Sequence, residues 1–235
     1  MTEPAPSVQI GPTSYTSWRA TPLGAITEAL EQRLLLGLVG DPAGRRILDA
    51  GCGDGALACT LAARGAVVTG VDPDPAMLAA ARGRADRAGV QPTFVAGRVD
   101  RLPFPDASFD VVVAVTVLCF VPDAAGAVRE MARVLRPGGR LVIGELGRWS
   151  LWALLRRLRG WGGSATWRVA HFRTASELRG LFNSADVPVD AVRGAVYYPP
   201  VGAVARPMLR ADPWLGRRTT FGAAFLAIAG MKAPT

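Results

Sequence analysis

A single histidine, a single lysine and three cysteines in 235 residues narrow the chemistry before any motif is considered. Cys52, Cys59 and Cys119 are odd in number and lack metal-ligand spacing, which argues against a disulfide framework or a metal site and points to a reduced, cytoplasmic compartment. No run of ~18 uncharged apolar residues occurs, so no transmembrane helix is expected. The first residues carry an early acid, Glu3, and no apolar stretch, so no signal peptide is expected either. Lysine is all but replaced by arginine: only Lys232 stands among the 27 basic residues. Their balance is uneven. Residues 1–146 hold 14 basic against 15 acidic groups, residues 147–235 hold 13 against 4, and the excess gives the net charge of +8. Such a surplus attracts anionic partners, and it equally follows from an arginine-rich composition. Neither an internal repeat nor a clean linker is visible, and one domain is the economical reading.

What is present is an alternation. After a helical stretch over 14–38, with Leu30, Leu34, Leu35 and Leu38 at helical spacing, strands are predicted at 46–50, 66–71, 93–96, 109–117 and 140–144. Helices are predicted between them at 56–63, 75–88 and 123–135. The strands are continuous apolar runs such as VVVAVTVL, as expected when helices cover both faces of a parallel sheet. Strand–helix–strand order then implies right-handed crossovers. Further on, helices are expected at 149–159 and 174–183, the latter opened by a Thr174/Glu177 capping box. Two more strands are expected at 187–197 and 219–231. The fold class is α/β, a Rossmann-like doubly wound, mostly parallel seven-stranded sheet with an antiparallel last strand and a helical lid.

The first strand runs into "GCGDGA", with glycines at Gly51, Gly53 and Gly55. Glycines in a strand-to-helix turn let a ligand lie against bare backbone. Dinucleotides use the same pattern, G-x-G-x-x-G/A with an acid about 20 residues on, and a turn that binds nothing would read alike. Two carboxylates separate the readings. Asp49 stands at the mouth of the turn, where it would repel a pyrophosphate and attract an ammonium group. Asp72 ends the second strand, where it can accept from both hydroxyls of a ribose, and Pro73 and Met77 after it offer apolar surface to an adenine.

The successive segments "ILDAGCGDG", "GVDPDPAML", "LPFPDASFDVVV" and "VLRPGGRLVIGE" resemble the motifs of class I S-adenosylmethionine-dependent methyltransferases, and within them the small-molecule group that includes the quinone-biosynthesis methyltransferases. The resemblance implies S-adenosylmethionine as cofactor, with S-adenosylhomocysteine as product. It implies backbone from Gly51, Cys52 and Gly53 at the methionine portion, Asp49 near its ammonium, Asp72 at the ribose, and Pro73 and Met77 flanking adenine. Arg98 and Val99 correspond to the segment that reads the adenine edge, Ala114 and Val115 face the methionine amino group, and Tyr15 closes over the cofactor. One departure stands out: Gly97-Arg98-Val99 replaces the usual Gly-Asp-Ala, so Asp100, or backbone and water, must take over at the adenine amine. One domain, 1–235, divides into an N-terminal helical cap (1–40), a cofactor-binding core (41–146), a lid or insertion (147–172) and C-terminal strands that complete the sheet (173–235).

Methyl transfer needs positioning and exclusion of water more than a catalytic motif. His171, the only imidazole, is the candidate base where the acceptor needs one; a purely structural histidine is the competing reading. Tyr197 and Tyr198 either line the acceptor pocket or pack. Glu145 ends the fifth strand, where open α/β sheets present ligand groups, and Cys119 reads as packing. The segment "GRWSLWALLRRLRGWGGSATWR" should govern acceptor choice. There Leu151, Leu154, Leu155 and Leu158 form a helical stripe expected to pack on the domain, while Trp149, Trp152, Arg156 and Arg159 lie off it. A lid over an apolar or aromatic small-molecule acceptor is the leading expectation. A transient membrane-surface contact through 148–168 is its alternative. A nucleic-acid methyltransferase is disfavoured because "VTVLCF" stands where an "NPPY"-like tetrapeptide would follow the fourth strand. An NAD-type oxidoreductase would rest on the glycine pattern alone. Oligomeric state and acceptor atom are not legible.

Overall fold

The computed structural model describes residues 17–234; Tyr15 lies outside them. Seven strands form one sheet: β1 (Arg46–Ala50), β2 (Val67–Asp72), β3 (Thr93–Ala96), β4 (Phe109–Val115), β5 (Leu135–Leu146), β6 (Val189–Ala195) and β7 (Phe225–Met231), in the order β3-β2-β1-β4-β5-β7-β6. The pairs β1–β2, β2–β3, β1–β4 and β4–β5 are parallel, and β7 runs antiparallel to both β5 and β6. The antiparallel last strand is as expected from the sequence. It slots between β5 and β6 instead of closing the edge.

Helices cover both faces. One face packs against α1 (Pro22–Val39), α2 (Ala56–Ala62) and α3 (Pro75–Ala88) through Ile47, Val111, Val113, Val142 and Phe225. The other packs against α4 (Ala124–Val134) through Leu48, Val112, Leu141, Ile143 and Ile228. Alternate residues of each strand thus feed opposite cores, which is why the strands are apolar throughout. Cap residues sit where the sequence offers them. Thr21, Asp74 and Asp123 accept from Gly24, Ala76 and Gly126 N–H at the starts of α1, α3 and α4.

Beyond β5 the chain forms α5 (Leu151–Trp161), α6 (Ala165–Val169), α7 (Ala175–Asn183), α8 (Gly202–Met208) and α9 (Asp212–Arg218). The Thr174/Glu177 capping box forms at α7. Helices α8 and α9 have no counterpart in the sequence expectations, because Pro207, Pro213, Gly202 and Gly216 interrupt the apolar period. The last strand starts at Phe225, not at 219. The strand expected at 140–144 extends from Leu135, across a register shift between Phe109 and Val111 on its partner β4.

The leucine stripe of α5 is turned the other way from the expectation. Leu151, Leu154 and Leu158 are exposed, while Trp152, Ala153 and Gly160 are buried. The Trp152 indole N–H donates to Tyr198 O at 2.8 Å. Gly160 lies so close to α6 that a β-carbon there would come within 2.9 Å of Trp167 O. Periodicity identifies residues that share a face, but an indole with a partner and two residues small enough for close approach decide which face turns inward.

Candidate functional site

The strand order reverses between β1 and β4, so a crevice opens at their C-terminal ends, where open α/β sheets hold ligands. Gly51, Gly53 and Gly55 follow β1 with φ of +79°, +51° and +74°, a left-handed path that glycine takes without a side-chain clash. A β-carbon on Gly51 would lie 2.3 Å from Val117 Cγ2, whereas one on Gly53 would meet nothing within 4 Å. Space therefore stands open above Gly53.

The amides of this turn are already spoken for. Gly51 N–H and Cys52 N–H both donate to Val71 O at 2.7 and 2.9 Å, and Gly55 N–H donates to Cys52 O at 3.0 Å. Gly53 N–H donates to Asp72 Oδ2 at 2.9 Å. A pyrophosphate needs free N–H donors at such a turn, and the amides of Gly51, Cys52, Gly53 and Gly55 are taken. Asp49 completes that character. It is 2 % exposed, and its Oδ2 has no hydrogen-bond partner among the described residues. Burial, then the nearby Asp72 charge, push its carboxyl up to about 7, against a backbone hydrogen bond from Ala58. A buried carboxylate with an open lone pair, beside a second carboxylate, is a site for a cation.

Asp72 binds its own surroundings through both oxygens, Oδ1 accepting from Asp74 N–H at 2.9 Å and Oδ2 from Gly53. Each oxygen keeps a lone pair for further donors. Burial raises this carboxyl also, despite the two backbone donors. Pro73 is exposed and Met77 half-buried on the far side of Asp72. Cys52 points its thiol into the core, where a β-carbon on Gly70 would lie 2.9 Å from the sulfur, so only its backbone borders the crevice. Val99 is buried likewise, and Arg98 is exposed. Arg98 grips Asp100 with Nε–Oδ1 at 2.9 Å and Nη2–Oδ2 at 2.6 Å, which occupies the carboxylate expected to stand in at the adenine amine. Ala114 and Val115 end β4, and the chain then passes through Thr116 at φ +51° to Val117 beside Gly51.

Sequence reasoning missed Asp54, the charged residue inside the turn. It is buried and takes Arg19 Nη1 on both oxygens at 2.7 Å and Arg84 Nη2 at 2.6 Å. Burial pulls its carboxyl upward, but the two guanidiniums outweigh that and hold it below the usual range. The pair ties the glycine turn to the N-terminal segment and to α3. Its partners lie 35 and 30 residues away, and no local signal could have named them.

The residues expected around the acceptor scatter. His171 N–H donates to Cys119 O at 2.9 Å, and its Nε2 lies 3.4 Å from Arg148 Nη2 on an exposed ring. Partial burial, then Arg173 and Arg148, hold the imidazole below its usual value, hence neutral at pH 7. Tyr198 is buried, its hydroxyl 2.9 Å from Thr27 Oγ1, and the Tyr197 hydroxyl donates to Thr219 O. Both pack. Glu145 is fully buried: Oε1 accepts from Leu118 N–H at 2.7 Å, and burial pushes the carboxyl up to about 7 against the pull of Arg173. A shallow cavity of about 220 Å³ opens nearby, lined in part by Arg148, Trp149, Arg173 and Phe221. Among the described residues no cluster of three His, Cys, Asp or Glu could hold a metal, and no helix is long and apolar enough to cross a membrane.

Comparison with known proteins gives the family and the fold. Residues 48–143 match the family described as methyltransferase domain. The chain is 34 % identical over 167 residues to a ubiquinone biosynthesis O-methyltransferase of Idiomarina loihiensis, covering 68 % of this chain and 69 % of that protein. It is 41 % identical over 134 residues to a 27-O-demethylrifamycin SV methyltransferase of Amycolatopsis mediterranei, covering 56 % of this chain and 49 % of the relative, so it spans about half that protein's length. A solved structure of a SAM-dependent methyltransferase of Thermotoga maritima superposes with a TM-score of 0.71, covering 94 % of this chain and 95 % of that one at 23 % identity, a likeness of fold.

Proposed function

The chain belongs to the S-adenosylmethionine-dependent methyltransferase family, and we propose that it transfers a methyl group from that cofactor to a small-molecule acceptor of apolar or aromatic character. The observation that carries the reading is the Asp49 carboxylate, buried at the mouth of the glycine turn with one oxygen that has no partner among the described residues. A carboxylate there suits the cofactor's ammonium and repels a pyrophosphate. An all-parallel dinucleotide fold would also lack the antiparallel β7. When bound, S-adenosylmethionine supplies a methyl group on a sulfonium that departs as a neutral thioether.

The chain's own residues then hold and orient. Asp49 takes the ammonium, with backbone of Gly51, Cys52 and Gly53 along the methionine portion and backbone at Ala114 and Val115 facing its amino group. Asp72 accepts from the ribose hydroxyls with the lone pairs its backbone donors leave open. Pro73 and Met77 flank the adenine, and the backbone at Arg98 and Val99 meets its edge, since Asp100 is held by Arg98. Tyr15 is assigned the closing role over the cofactor. Segment 147–172 bounds the acceptor, which comes to lie on the β4–β5 side of the crevice. His171, neutral at pH 7, is assigned proton acceptance where the acceptor atom carries a proton. Relatives named as a ubiquinone biosynthesis O-methyltransferase and a 27-O-demethylrifamycin SV methyltransferase support a small-molecule acceptor, and an apolar ring would suit Trp149 and Phe221 at the cavity they line.

Calorimetry with S-adenosylhomocysteine and with NADH decides the cofactor: binding of NADH alone sinks the reading. Methyl-labelled S-adenosylmethionine with extract then decides the acceptor class. Label in the organic-soluble fraction is expected, and label in precipitable RNA or protein overturns the small-molecule assignment. His171→Ala with unchanged turnover removes His171 from the chemistry.

A further inference from the structure

Residues 147–172 contain five arginines, Arg148, Arg156, Arg157, Arg159 and Arg168, and no aspartate or glutamate. Helix α5 within this segment is anchored by one side only. Opposite Trp152, Ala153 and Gly160, the side chains of Leu151, Leu154, Leu158 and Trp161 fall within an arc of roughly 80° at 100° per residue. They are 48, 51, 47 and 82 % exposed. The surface continues beyond the helix. Gly222 N–H donates to Trp149 O at 2.9 Å, which sets exposed Phe221 next to exposed Trp149. Four large apolar side chains of the helix are therefore exposed on one arc, and Trp149 and Phe221 stand exposed at the cavity before its first turn. A contiguous patch of this kind marks an interaction surface more often than chance exposure.

The segment that carries the patch is basic. Arg159 and Arg168 are exposed, and among the described residues no acidic group pairs with either. Arg157 and Arg159 flank the leucine arc at 100° per residue, whereas Arg156 lies on the packed side, 5.1 Å over the Trp152 ring and 4.9 Å over the Trp167 ring. We propose that this face docks on an anionic lipid surface, with Leu151, Leu154, Leu158 and Trp161 entering the interface and the flanking arginines meeting headgroup phosphates. Leucine and tryptophan on one arc, flanked by Arg157 and Arg159, is the residue order of an interfacial helix, and long arginine side chains reach outward to the charged layer. Charge complementarity chooses this occupant over the others. A second copy docked about a two-fold axis would set arginine against arginine. A nucleic acid would meet leucine and tryptophan where it needs cations.

The test floats the full chain with vesicles of phosphatidylcholine alone and of an equimolar mixture with phosphatidylglycerol. Co-flotation with the mixed vesicles, and not with the neutral ones, is expected. Raising salt from about 0.1 to about 0.5 M should weaken it several-fold. In the double variant Leu154→Glu/Leu158→Glu the bound fraction should fall at least ~10-fold, while the circular dichroism spectrum and the affinity for S-adenosylhomocysteine stay as in the wild type, since both side chains face solvent. Absence of flotation with mixed vesicles, or flotation of the double variant at the wild-type level, overturns the proposal. So does a dimer in size-exclusion chromatography that the double variant dissociates while vesicles go unbound, or binding of polyuridylate that outcompetes the vesicles in the wild type. The vesicle readout needs no methyl acceptor, so it stands or falls separately from the catalytic reading.

Discussion

Between Asp49 and Asp72 the C-terminal rim of the sheet is cleared of side chains by three left-handed glycines, whereas between Leu146 and Tyr198 it is filled by indole, phenol and guanidinium groups. At the first place the backbone folds back on itself. Val71 O takes two amides of the turn, Asp72 takes a third, and one oxygen of buried Asp49 is left without a partner among the described residues. At the second place backbone polar groups are satisfied by side chains from distant segments, as Tyr198 O is by Trp152 and the Val196 and Tyr197 amides are by Asp212. The cleared half has a chemistry decided by which lone pairs are left over. The filled half has a shape decided by large groups, and its chemistry can vary without disturbing the turn. A family that keeps one cofactor and changes acceptors gains from that division.

Removing the anchor of the filled half should have the largest effect. Trp152→Ala deletes a buried indole and strands Tyr198 O, and urea unfolding should report a loss of about 3–5 kcal/mol. Cofactor affinity in the surviving folded protein should change little; a matching collapse of affinity would break the separation of the two halves. Gly51→Ala attacks the cleared half instead. It combines a positive φ with a contact at 2.3 Å to Val117, and a loss of about 2–4 kcal/mol is expected together with loss of cofactor binding. Wild-type affinity in Gly51→Ala would show that the turn can relax and that its shape does not define the site.

Asp49→Asn sharpens the electrostatic side of the contrast. Burial pushes the wild-type carboxyl up to about 7, and a bound cation favours its ionised form. Affinity for S-adenosylhomocysteine should therefore rise as pH increases from 5 to 7 and level off above, by up to about tenfold per unit. Asp49→Asn should flatten that profile and weaken binding at pH 8 by about 10- to 100-fold, a loss of about 1.4–2.7 kcal/mol. A pH profile unchanged in the variant would move the titration to another group. The smallest effect belongs to Leu154→Glu, on the same helix as Trp152. Its side chain faces solvent, and thermal melting should place it within about 0.5 kcal/mol of the wild type. A larger loss would mean that the leucine face is covered.

The strand–helix alternation, the glycine turn and the acids at the ends of β1 and β2 could all be read before any coordinates, because each depends on neighbours a few residues away. A continuous apolar strand needs cover on both faces, and a turn with glycine at alternate positions needs room. The direction of α5 could not be read in this way. Its leucine period is real, but burial went to Trp152, Ala153 and Gly160, whose partners Tyr198 and Trp167 come from other segments. Asp54 looked like one more polar residue in a loop until Arg19 and Arg84 converged on it. The consumption of every amide at Gly51, Cys52, Gly53 and Gly55 is likewise a fact of packing, since Val71 and Asp72 reach them from the neighbouring strand. Local propensity follows from residue order alone. Which face is buried and which lone pair stays free depends on what arrives from elsewhere in the chain, and only the folded arrangement sets that.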